Sequence, residues 1–134
     1  MWSSPLARAT AAVVAAHVLH DLDHVRQGRS ASAAVSVVAV LAWVATIVLV
    51  VLVARRHRLA GLYAATFGAT FALGFVLVHA LPHWSPFSDS YADAGVDALS
   101  WLLAGVPIAA GLVLLACGLQ AMRGGAPARA VGTP

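Results

Sequence analysis

The chain has 134 residues, of which 61% are apolar and 10% are charged, and its mean hydropathy is +0.88. A water-soluble domain of this size cannot cover such a composition with polar surface, so we interpret the chain as an integral membrane protein with the lipid bilayer as its main partner. The formal net charge of +3 is small. We read it as a signal of membrane orientation and expect no nucleic-acid partner.

Four stretches are long enough to provide the roughly 20 helical residues that cross a hydrocarbon core. We expect transmembrane helices at about 5–26, 32–54, 59–82 and 95–122. The first is the least apolar, but the small-residue pattern at 30–34 lies too far beyond its apolar run to mark signal-peptide cleavage. The predicted fold is therefore all-α, a membrane bundle of four transmembrane helices in one domain, 1–123, followed by a disordered cytoplasmic tail at 124–134.

The placement of arginine predicts the orientation of the helices, because cytoplasmic loops are enriched in basic residues. Arg26 and Arg29 fall in the first loop. The other six lie at the N-terminus, in the second loop or near the C-terminus: Arg8, Arg55, Arg56, Arg58, Arg123 and Arg129. We therefore expect a multi-pass protein of the cell membrane with both termini in the cytoplasm. The lysine-free, alanine- and arginine-rich composition suggests a bacterium with a GC-rich genome.

Polar residues interrupt the outer part of the first helix, in the segment HVLHDLDH. On a helical wheel, His17, His20, Asp21 and His24 share an arc of about 100°, so they form one stripe. Ionisable side chains inside a membrane helix are costly and usually serve a function. This stripe is the strongest functional signal in the sequence.

The third helix brings two further histidines to the same membrane face. His79 and His83 are four residues apart, and Pro82 lies between them, so we expect the pair to straddle the end of the helix. Rings from both helices can then meet near the outer surface. The predicted metal ligands are His17, His20, Asp21, His24, His79 and His83.

Imidazole with a carboxylate suits Zn, Fe or Cu better than Ca or Mg. Asp97 and Asp93, near the start of the fourth helix, are placed to accept the spare ring N–H of a ligand histidine. A shared mononuclear site requires the ring nitrogens of the first and third helices to lie within about 8 Å, since Zn–N bonds measure about 2.0 Å. The loop at 83–97 either folds over the histidines and adds a carboxylate or serves as a plain connector.

The spacing HxxxH occurs twice, at His20 with His24 and at His79 with His83. It is similar to the histidine boxes of membrane di-iron desaturases and hydroxylases, but those enzymes carry more histidines and theirs face the cytoplasm. One histidine from each helix could also bind haem, as in four-helix b-type cytochromes. Here each helix has histidines on adjacent turns, more than the one per helix that such a cytochrome uses, so haem is the less favoured cofactor. The sequence assigns no family.

Three functions remain open. The first is a metal site near the extracytoplasmic face, used for metal handling, redox or metal-dependent chemistry; whether the protein is an enzyme is undecided. The second is a proton or ion pathway. The third is a non-catalytic accessory subunit that docks to a larger membrane complex, or to further copies of itself, through the polar patch.

Overall fold

A computed structural model describes residues 4–124, and within that range the chain forms helices and no strand. The helices are α1 (Pro5–Gln27), α2 (Ala33–Ala54), α3 (Ala60–Phe75), α4 (Tyr91–Ala94) and α5 (Ala98–Gly124), and a π-helical turn, Val76–Ala80, continues α3. The all-helical prediction is confirmed for this range. Apart from Gly124, the predicted disordered tail lies outside the described residues.

Three helical segments in the described range are long and apolar enough to cross a membrane. They are Ala33–Ala54, Ala60–Ala80 and Ala98–Gly124. α1 has 23 residues but is less apolar than this criterion requires. The chain therefore has the composition of a multi-pass membrane protein, with three of the four predicted spans identified.

Local sequence explains where the helices begin and end. The hydroxyl of Ser4 accepts a hydrogen bond from a backbone N–H in the first turn of α1, and Pro5 occupies the first helical position. Gly28 ends α1 with a positive φ of 61°, a conformation that glycine adopts without steric cost. Ser32 caps α2 in the same manner as Ser4 caps α1. The π turn that continues α3 ends at Ala80, shortly before Pro82, because a proline ring cannot continue a helix.

The centre of the bundle is the interface between α3 and α5, where small residues let the two backbones approach closely. A Cβ atom added to Gly68 would lie 2.5 Å from the carbonyl oxygen of Gly111. One added to Gly118 would lie 2.5 Å from the backbone nitrogen of Ala65. Small residues on facing helix surfaces are the usual means of tight packing between membrane helices. This interface holds α3, and the π turn that continues it, in a fixed position.

α1 packs along α5, while α2 lies at the edge of the bundle. The buried residues of α2 are Val35, Thr46 and Leu49, so most of this apolar helix faces outward. An outward apolar surface is what a lipid-facing helix presents. The C-terminal end of α1 and the π turn after α3 lie close together, which places their histidines on one side of the loop that precedes α5.

Candidate metal centre

Three histidines converge at the C-terminal end of α1 and the π turn that continues α3. One ring nitrogen from each of His20, His24 and His79 lies within 4.8 Å of the other two. The Nε2 atoms of His20 and His24 are 3.1 Å apart. In a tetrahedral zinc site with Zn–N bonds of about 2.0–2.1 Å, two ligand nitrogens are about 3.3–3.4 Å apart. The group, which we call the histidine triad, therefore meets the distance requirement for a shared mononuclear site after small side-chain rotations.

The two helices supply the triad by different means. His20 and His24 are separated by one helical turn on α1, so their rings project from the same face. His79 lies in the π-helical turn, a wider turn that changes the direction of the side chains after α3 and often occurs at functional sites. Phe75 packs between the two helices, with ring centroids 4.7 Å from His20 and 5.6 Å from His79. His20 and His79 are 4% and 5% exposed.

Asp89, in the loop before α4, orients the His79 ring and lies beside the His24 ring. The Nδ1–H of His79 donates to the backbone carbonyl of Asp89 at 3.1 Å. A carbonyl can only accept, so the lone pair of His79 must lie on Nε2, the nitrogen left free to bind a ligand. The carboxylate of Asp89 lies 3.7 Å from Nδ1 of His79 and 3.8 Å from Nδ1 of His24, and it pairs with Arg29 at 2.5 Å. A carboxylate beside ligand histidines is a common feature of metal sites.

His20 retains an unsatisfied nitrogen. Its Nδ1 is buried and has no hydrogen-bond partner among the described residues, while its Nε2 faces that of His24. A buried polar atom without a partner costs about 1–3 kcal/mol, and native proteins usually avoid it. A cation bound between the Nε2 atoms of His20 and His24 would leave the proton of the His20 ring on Nδ1, and that N–H has no partner among the described residues.

The structure places His17 and Asp21 apart from the triad, and Trp43 of α2 contacts both. The His17 ring stacks on the indole with centroids 4.1 Å apart and an interplanar angle of 7°. The indole N–H donates to the Asp21 carboxylate at 2.7 Å. Nδ1 of His17 is 3.5 Å from the hydroxyl of Thr46. These two side chains therefore join α1 to α2 and line the space beneath the triad.

The remaining predicted residues also lie outside the triad. His83 is exposed beyond the end of the helix, and its backbone N–H donates to the Asp93 carboxylate at 2.6 Å. Asp97 accepts two hydrogen bonds of 2.9 Å from Arg26. The Arg26 guanidinium, helped by a backbone N–H at the start of α5, holds the pKa of Asp97 well below its ordinary value. The carboxylate near the triad is thus that of Asp89, while Asp97 joins α1 to α5.

The loop at 83–97 folds over the triad and is therefore more than a plain connector. Besides Asp89 it contributes Tyr91, which is 0% exposed and whose ring centroid lies 4.6 Å from that of His79. Burial raises the pKa of the Tyr91 phenol to about 12, so the hydroxyl stays neutral at physiological pH. Sequence analysis does not single out Asp89 or Tyr91, because both lie in the loop at 83–97, where helical spacing does not predict contacts with the histidines.

Comparison with models of known protein families, with curated proteins and with solved structures finds no match. The function of the site must therefore be inferred from the chemistry of its own residues.

Proposed function

We propose that this protein is a small multi-pass membrane protein that binds one transition metal ion, such as Zn²⁺, through His20, His24 and His79. The observation that carries the proposal is the mutual approach of three imidazole nitrogens to within 4.8 Å. The backbone carbonyl of Asp89 fixes the protonation of the His79 ring, from the side opposite its free Nε2. Fe and Cu are accepted by the same ligand type, whereas a haem with two axial histidines would need their nitrogens on opposite faces of its plane.

Three protein ligands leave a coordination position open. Structural zinc sites are usually closed by four protein ligands, while catalytic sites keep three and bind water or substrate in the fourth position. A site of this kind fits metal-dependent chemistry or the transfer of a metal ion better than a purely structural role.

We further propose that α1 is a fourth transmembrane helix, with both termini in the cytoplasm and the triad near the outer face of the cell membrane. At 1.5 Å per residue, its 23 residues span about 35 Å. Its outward side carries exposed apolar residues, among them Leu19, Leu22 and Val25, while His20 and Asp23 are turned inward and buried. This distribution supports a helix that faces lipid on one side and the bundle on the other.

A proton pathway is less favoured by the same geometry. Between His17 and Arg8 on α1, and from Thr46 to the end of α2, the polar side chains are hydroxyls, and those of Thr10 and Thr46 donate to backbone carbonyls of their own helices. A hydroxyl engaged in this way does not readily relay protons toward the cytoplasm. The polar residues are instead concentrated at the outer end, as a local binding site requires.

The test is metal analysis of the detergent-purified full chain after loading with Zn²⁺ and removal of excess ion. We expect one equivalent in the wild type and loss of metal in His24→Ala and His79→Ala. The matched control is His83→Ala, which removes a predicted histidine that lies outside the triad and should keep its metal. Circular dichroism checks that each variant remains helical. A metal-free wild type, or loss of metal in His83→Ala, would refute the proposal.

A further inference from the structure

An elongated cavity of about 340 Å³ runs between α1, α2 and α3 directly beneath the triad. Its polar lining lies mostly on the α1 side, where His20 and His24 are joined by His17 and Asp21. The α2 and α3 walls are largely apolar, with residues such as Val38, Ala42 and Phe71. The cavity thus has a polar wall next to the proposed metal site, and the rest of its lining is apolar.

The cavity opens sideways, between α2 and α3. Leu41 of α2 lines it and is 62% exposed, and Thr70 of α3 lines it and is also exposed. Residues that both line a cavity and lie at the outer surface mark its mouth. Both belong to segments that are apolar enough to cross a membrane, so the mouth faces the hydrocarbon interior of the bilayer.

The shape of the cavity limits the occupant. Its α3 wall extends from Phe67 to His79, twelve residues or about 18 Å at 1.5 Å per residue. A volume of about 340 Å³ spread over this length suits an elongated ligand such as an extended hydrocarbon chain. Apolar walls with a few convergent polar groups are typical of ligand sites.

The charge of the metal site restricts the chemistry of the polar end of the ligand. A divalent ion held by three neutral imidazoles keeps its two positive charges and is then the largest local charge in the site. In surroundings of low dielectric constant it favours an anionic oxygen ligand at the open position. The carboxylate of a single-chain lipid would meet this requirement while its tail occupies the apolar part.

We propose that the cavity binds a single-chain lipid carboxylate that enters from the bilayer between α2 and α3, with its head at the triad and its tail toward Phe67. This proposal rests on the metal site for the position of the head, while the apolar cavity itself fixes the position of the tail. It assigns the open coordination position to a lipid-soluble ligand that reaches the site without passing through water.

The test uses dodecanoic acid with a photoreactive diazirine near its methyl end, added to the full chain in lipid nanodiscs, with labelled residues mapped by mass spectrometry. Gly74 lines the cavity, and a Cβ added there meets nothing within 4 Å, so Gly74→Leu should fill the space without disturbing the fold. Gly105 is the matched control, because it is an exposed helical glycine with equally open surroundings that does not line the cavity.

We expect labelling at Ala45, Phe67 and Thr70 in the wild type and in Gly105→Leu, and at least a tenfold loss in Gly74→Leu with its metal content unchanged. Metal retained together with labelling that Gly74→Leu does not reduce would overturn the lipid proposal alone. Cavity labelling that Gly74→Leu abolishes, in a protein that binds no metal, would contradict the proposed metal site and still support the lipid cavity.

Discussion

Replacing Gly68 by alanine should destabilise the protein more than its single added methyl group suggests. The new Cβ would lie 2.5 Å from the carbonyl oxygen of Gly111 and 2.6 Å from the backbone nitrogen of Leu115. Both atoms are backbone, so neither can rotate away. Reaching an ordinary contact of 3.4 Å requires α3 and α5 to separate locally by about 0.9 Å.

That separation affects the closest helix interface of the bundle. Overpacking of this kind costs about 1–3 kcal/mol, and we expect the upper half of that range because two backbone atoms obstruct the same methyl group. The control is Gly74→Ala on the same helix, where the added Cβ meets nothing within 4 Å. It should leave the free energy of unfolding unchanged or raise it by less than about 1 kcal/mol.

The assay is unfolding in mixed micelles by titration with SDS, followed by circular dichroism. The difference in unfolding free energy between Gly68→Ala and Gly74→Ala should be at least about 2 kcal/mol. If the two variants unfold at the same SDS fraction, the described approach of α3 to α5 is wrong, and the placement of His79 that depends on it loses its support.

Three further variants test the surroundings of the triad. Asp89→Asn should weaken Zn²⁺ binding about tenfold, the low end of the usual range for such residues, because the backbone carbonyl that accepts from His79 remains. Competition with a chromophoric chelator measures the affinity, and an unchanged affinity would contradict the role of the carboxylate. Tyr91→Phe removes a buried hydroxyl that lacks a partner among the described residues, so the melting temperature should stay the same or rise, and a clear fall would show that the hydroxyl has a partner. The ion pair with Arg26 lowers the pKa of Asp97 in the folded state. The pair's contribution to stability is therefore complete above the ordinary carboxyl pKa near 4 and is lost as the pH falls below that value. Melting curves of Asp97→Asn should show a weaker loss of stability between about pH 5 and pH 2 than the wild type, and equal losses would contradict the pairing.

Helical phase and topology account for much of the site. His20 and His24 share a face because they are four residues apart, and His79 meets them because both helices end at the same side of the bundle. His17 has the same phase, but it lies one turn deeper, where its neighbours are Trp43 and Phe71 instead of another histidine. A helical wheel carries no information about which residue of a neighbouring helix lies at a given depth.

Other parts of the site depend on tertiary structure that sequence patterns do not encode. The π turn that positions His79 and the loop that brings Asp89 beside it have no periodic signal. Asp97 has a suitable position in the sequence, but Arg26 is nearer and provides a stronger electrostatic partner than a neutral imidazole. The composition predicts a membrane bundle directly, whereas α1 is less apolar because it carries the site.

The most direct test of the central claim is zinc K-edge X-ray absorption on the loaded protein, which counts the ligands on the bound ion. The triad predicts three imidazole nitrogens at about 2.0 Å and a fourth light-atom ligand from water or a bound carboxylate. Four or more imidazoles would mean that His17 or His83 also binds the ion. One imidazole or none would contradict the histidine triad as a metal centre.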